Sequence, residues 1–139
     1  MGAVALFATH TGVAIADVRF RGQSRQGLPV VVVAGDDGTP KRARIRWRSV
    51  CRSGLRGITT TGFRRPLDLS TRRRFRDSGT YSVREPTGAR ATITATISGR
   101  KAGPRRWVGR FRAVTVVRRG GRVRDRCSVR GLRWRALRG

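Results

Sequence analysis

Residues 41–51 read KRARIRWRSVC, and the alternation of arginine with less polar residues in this stretch decides the fold class. Successive side chains of a β-strand point to opposite faces, so residues two apart share a side. Ala43, Ile45, Trp47, Ser49 and Cys51 therefore fall on one face, and Arg42, Arg44, Arg46 and Arg48 on the other. A helix would spread the same arginines around its axis and leave no apolar stripe. The stretch predicts a half-buried strand with a row of guanidinium groups outside.

The same period recurs along the chain. Between residues 90 and 98, Ala91, Ile93, Ala95 and Ile97 face inward and Thr92, Thr94 and Thr96 outward. Between 107 and 117, Trp107, Phe111, Ala113, Thr115 and Val117 oppose Arg110 and Arg112. Leu132, Trp134 and Ala136 alternate with Arg133 and Arg135, whereas Cys127 and Val129 have the other parity, so Gly131 predicts a β-bulge that resets the register. Turn chemistry separates the runs at 35–38 (GDDG), 86–88 (PTG), 99–104 and 120–121 (GG). No segment longer than about 10 residues carries helical periodicity. These signals predict an all-β, single-domain antiparallel meander of about eight strands, closing into a barrel or a two-sheet sandwich. The strands are expected near 13–22, 29–34, 41–51, 58–64, 72–83, 90–98, 106–118 and 122–136, with 1–12 as an N-terminal tail or signal remnant and 13–139 as the domain. An immunoglobulin domain is disfavoured, because its core tryptophan follows the first cysteine and Trp47 precedes Cys51.

A length of 139 residues suits one hydrophobic core. The 33 basic residues, all arginine except Lys41 and Lys101, face 7 acidic ones, for a net charge of +26. Such a surplus repels itself in the compact state and attracts polyanions. Alternate residues on a strand are about 6.6 Å apart, so Arg42, Arg44, Arg46 and Arg48 would line up four forks suited to phosphates or sulfates of a polymer. Arg110, Arg112, Arg133 and Arg135 extend this polyanion-binding face if their strands are neighbours. Two bland accounts compete: a solvated outer face that discourages edge aggregation, and the codon bias of a GC-rich genome. With the aromatics turned inward, binding would be directed at a polymer backbone, salt-sensitive and without sequence specificity. The partners that fit are cell-surface polymers, nucleic acid backbone or anionic lipid headgroups.

Cys51 and Cys127 with the single His10 cannot build a closed zinc site, which takes four nitrogen or sulfur ligands. A disulfide is favoured over two buried thiols, and it points to an extracytoplasmic or secreted location. The apolar run at residues 30–34 (VVVVA) is too short to cross a bilayer as a helix. Residues 1–8 are apolar but have no positive n-region or clear cleavage site.

No catalytic constellation is expected. His10 lies ahead of the first strand, and a serine triad would have to be built around it. Asp36, Asp37 and Asp77 fall in apparent turns, Asp68 in a loop-like stretch and Glu85 before Pro86, while Asp17 and Asp125 are expected to pair with arginines. No phosphate-binding loop and no zinc or calcium spacing occurs, so no metal or nucleotide cofactor is expected.

FRGQSRQGLPV at 20–30, Trp47 with Cys51, and the closing Cys127 with Leu132, Trp134 and Ala136 resemble a group of uncharacterised, mostly exported small β proteins of high-GC bacteria. The likeness runs from about residue 13 to 137. It implies the fold and the exported location and carries no established activity. The resulting expectation is a non-catalytic exported β domain that associates with polyanions. One alternative is a small-ligand-binding barrel with Trp47, Trp107 and Trp134 near its mouth, against which stands plain core packing of the same indoles. The other alternative is a structural envelope or surface component.

Overall fold

The computed structural model describes residues 17–64 and 67–139. The expected tail at 1–12, with His10, and the expected strand start at 13–16 lie outside the described residues. Every described element is a strand: β1 (Val18–Ser24), β2 (Pro29–Ala34), β3 (Pro40–Cys51), β4 (Arg56–Phe63), β5 (Leu69–Thr71), β6 (Arg74–Arg84), β7 (Arg90–Gly103), β8 (Arg106–Arg119) and β9 (Arg122–Arg138). Among the described residues no helix is long and apolar enough to cross a membrane. The strands form one antiparallel sheet in the order β4-β3-β2-β1-β9-β8-β7-β6-β5. β5, with three residues, is the strand that alternation was too short to reveal.

Alternation in sequence becomes segregation in space. Ala43, Ile45, Trp47, Ala91, Ile93, Ala95, Ile97, Trp107, Phe111, Ala113, Leu132, Trp134 and Ala136 are all buried, while the arginines between them face out. At β9 the register with β8 shifts between Phe111 and Ala113, and Gly131 has φ 55°, so the bulge lies where the parity break required it.

The sheet curls because of how its ends meet. The β1–β2 hairpin is a short wedge: at its tip the Arg25 amide donates to the Arg133 carbonyl at 2.9 Å, and the Gln26 side chain donates to the Arg48 carbonyl at 2.9 Å while accepting from the Arg48 amide at 2.8 Å. Beyond the tip, β3 and β9 pair directly, Val50 with Ser128 and Cys51 with Cys127. The two cysteines form a disulfide across 76 residues of sequence. On the far side β4 and β6 share no ladder among the described residues. Trp47 Nε1 instead donates to Thr61 Oγ1 at 2.9 Å, and Thr61 Oγ1 lies 2.7 Å from the Tyr81 hydroxyl, a side-chain bridge across the seam.

One carboxylate departs from expectation. Asp77 sits in the middle of β6 rather than in a turn, with inward parity beside Gly79, because the strand continues through the segment that read as a turn. Asp17 accepts from Lys41 Nζ at 2.8 Å, and Asp125 accepts from the Ser53 hydroxyl and from the Arg126 amide at 2.9 Å.

Gly99 and Gly109 are opposed across β7 and β8, both facing inward. A Cβ on Gly109 would stand 1.9 Å from the Ser98 carbonyl oxygen and 2.5 Å from the Trp134 ring, and one on Gly99 would stand 2.5 Å from Phe75. Gly109→Ala therefore lowers stability by about 3 kcal/mol, because backbone and an aromatic ring would both have to move. Gly62→Ala, with nothing within 4 Å of its Cβ, changes stability by less than about 1 kcal/mol. Urea unfolding of the two variants checks the contrast.

Candidate functional site

The outer faces of β6, β7, β8 and β9 align arginines in two rows that cross the strands. Arg76 is opposite Ser98, Ser98 opposite Arg110, and Arg110 opposite Arg133. One step along, Arg74 is opposite Arg100, Arg100 opposite Val108, and Val108 opposite Arg135. Neighbouring strands are about 4.8 Å apart, so Arg110 with Arg133 and Arg74 with Arg100 are like charges in direct opposition, an arrangement that destabilises a sheet.

These rows line three adjoining depressions. The first, of about 810 Å³, has Arg76, Arg110, Arg112 and Arg130 on its rim. The second, of about 670 Å³, shares Arg76 and Arg110 and adds Arg74, Arg100 and Arg133. The third, of about 360 Å³, shares Arg133 and adds Arg25 and Arg135. None of the seven acidic residues lines any of them.

The carboxylates are spent elsewhere. Asp36 and Asp37 lie in the β2–β3 turn, where the Thr39 amide holds the Asp37 carboxyl below the ordinary aspartate range. Asp125 is held low chiefly by the Ser53 hydroxyl. Burial raises Asp77, outweighing the hydrogen bond from the Ser78 amide. Asp68 precedes β5, and Glu85 lies in the β6–β7 turn. The Asp125 carboxylate is close to the sulfurs of Cys51 and Cys127, but both sulfurs are committed to the disulfide.

Of the residues singled out in the sequence, Arg110, Arg112, Arg133 and Arg135 are brought together in this groove. Arg42, Arg44, Arg46 and Arg48 are not joined to it, because β2 and β1 lie between β3 and β9 over most of their length. Arg42 and Arg44 border a separate depression of about 680 Å³ with Arg19 and Arg64, which also contains Asp17 and Lys41. Trp47, Trp107 and Trp134 are 0%, 0% and 3% exposed and lie in the core, where Trp47 packs on Phe111, Trp107 on Phe20, and Phe75 lies against both Trp107 and Trp134. That bears out core packing, the natural account of their inward parity, and removes the alternative of indoles lining a barrel mouth. The groove arginines missed in the sequence are Arg25, Arg74, Arg76, Arg100 and Arg130. The shared parity of Arg74 and Arg76 around Phe75 was available as a signal, whereas Arg25, Arg100 and Arg130 lie in stretches whose turn or bulge chemistry hid their side.

Relieving one opposed pair should stabilise the unliganded protein. Arg110→Gln/Arg133→Gln gains about 0.2–1 kcal/mol over the parent at about 0.01 M salt, and the gain fades at about 1 M, where the screening length is roughly 3 Å. Urea unfolding at both ionic strengths measures it.

No protein-family model matches the chain, and neither a curated protein nor a solved structure resembles it significantly, so the functional reading rests on the groove itself.

Proposed function

We propose that the protein is a non-catalytic, exported β domain that holds polyanions in the groove over β6–β9. The observation that carries the reading is the direct opposition of Arg110 with Arg133 and of Arg74 with Arg100 in a depression that no carboxylate lines. Guanidinium forks in that arrangement repel until an anion sits between them, and planar forks take phosphate, sulfate or carboxylate oxygens in pairs. A chain of anionic groups would satisfy successive arginines along the joined depressions and release counterions as it did so. The disulfide supports the exported location, since such bonds persist in oxidising compartments. The dispersal of the carboxylates among turns, the seam and the disulfide end supports a binding rather than a hydrolytic role.

The experiment compares two variants of equal charge. Arg74→Gln/Arg100→Gln/Arg110→Gln/Arg133→Gln lowers the slope of log affinity against log salt by about 2–3 for a DNA duplex, with a parallel loss for heparin. Arg42→Gln/Arg44→Gln/Arg46→Gln/Arg48→Gln, with the same net charge, leaves most of the slope in place. Equal losses in both would mean that binding follows net charge alone and would remove the groove as a site.

A further inference from the structure

The arginine cover is interrupted on the outer face of β6 and β7 by a ladder of hydroxyls. Ser78 Oγ lies 2.9 Å from Thr96 Oγ1, Thr80 Oγ1 3.2 Å from Thr94 Oγ1, and Ser82 Oγ 3.2 Å from Thr92 Oγ1, on alternate register lines that share the outer face. In each pair one hydroxyl donates to the other, so a second proton and several lone pairs are left for an outside partner. On the adjoining strand Val114 is opposite Thr94 and Val116 opposite Thr92, and Val114 is 41% exposed, which adds an apolar strip along the ladder. Thr94, Thr96, Ser98 and Val114 line the same depression of about 810 Å³ as Arg76 and Arg110. One depression thus offers cationic forks, hydroxyls with hydrogen-bonding capacity to spare and a C–H surface side by side.

We infer, resting on the polyanion reading above, that the polymer is an acidic polysaccharide: its sulfate or uronate groups meet the arginines, while ring hydroxyls and C–H faces meet the threonine ladder and Val114. Sugar rings present that combination, with hydroxyls at the rim, apolar faces and acid groups at intervals. Nucleic acid fits less well. Its bases call for exposed aromatic platforms, and the aromatics beneath the groove, Phe75 and Trp134, are each only 3% exposed.

The test titrates heparin, polygalacturonate, inorganic polyphosphate and oligothymidylate, matched in charge, into the parent, Thr94→Val/Thr96→Val and Arg110→Gln/Arg133→Gln at one salt concentration, with circular dichroism confirming each fold. The parent binds at least one of the two glycans about tenfold more tightly than oligothymidylate. The valine variant loses roughly three- to tenfold for that glycan, the worth of one or two hydrogen bonds, and keeps its polyphosphate affinity. Oligothymidylate binding as tightly as both glycans, or a valine variant with unchanged glycan affinity, overturns the polysaccharide assignment. In either case continued weakening of all four ligands by the arginine variant leaves the polyanion reading standing. An arginine variant that binds all four as the parent does removes both.

Discussion

The contact of Phe75 and Trp134 with the glycine pair Gly99 and Gly109 fixes the register on which the outer surface depends. Phe75 lies where a Cβ on Gly99 would have to stand and Trp134 where one on Gly109 would, so the two rings reach the backbone of β7 and β8. Only one alignment of β6, β7, β8 and β9 places two absent side chains beneath two large rings. A slip of one residue would turn every core side chain of a strand outward. That alignment, chosen inside, sets Arg74 against Arg100 and Arg110 against Arg133 outside. The core therefore determines the charge pattern, and the groove inherits its geometry from packing that no anion touches.

Holding so many like charges on one curled sheet needs restraints that do not depend on charge. The wedge formed by the β1–β2 hairpin supplies one, through backbone and Gln26 bonds to β9 and β3. The disulfide supplies another where β3 and β9 meet, a cross-link that removes loop entropy from the unfolded chain worth on the order of 4 kcal/mol. The Trp47–Thr61–Tyr81 chain bridges the seam where no ladder does. Among the described residues, Lys41–Asp17 is the ion pair within salt-bridge distance, and it lies away from the groove.

Alternation made the inner and outer faces of β3, β7, β8 and β9 legible in the sequence, and the parity break at Gly131 located the bulge, because period two is a local property. Adjacency is not local. Two arginine rows were visible, at 42–48 and at 110–112 with 133–135, but whether they join depends on which strands neighbour each other, and the wedge of β1 and β2 separates them. Asp77 read as a turn residue although it fell inside the strand expected near 72–83; cross-strand pairing with Ile97 of β7 makes it a strand residue. The inward parity of the tryptophans was readable, their partners were not. Trp47 finds Thr61, while among the described residues the buried indole N–H groups of Trp107 and Trp134 have no hydrogen-bond partner, a difference that only tertiary packing reveals.

The central claim is that anions are held by geometry over β6–β9 and not by charge at large. Backbone amide chemical-shift mapping during titration with a short heparin oligosaccharide tests it most directly. The account predicts that saturable shifts concentrate at Arg74, Arg76, Ser98, Arg110 and Arg133, with little change at Arg42, Arg44, Arg46 and Arg48. Shifts of equal size and equal midpoint on β3 and on β6–β9 would contradict it.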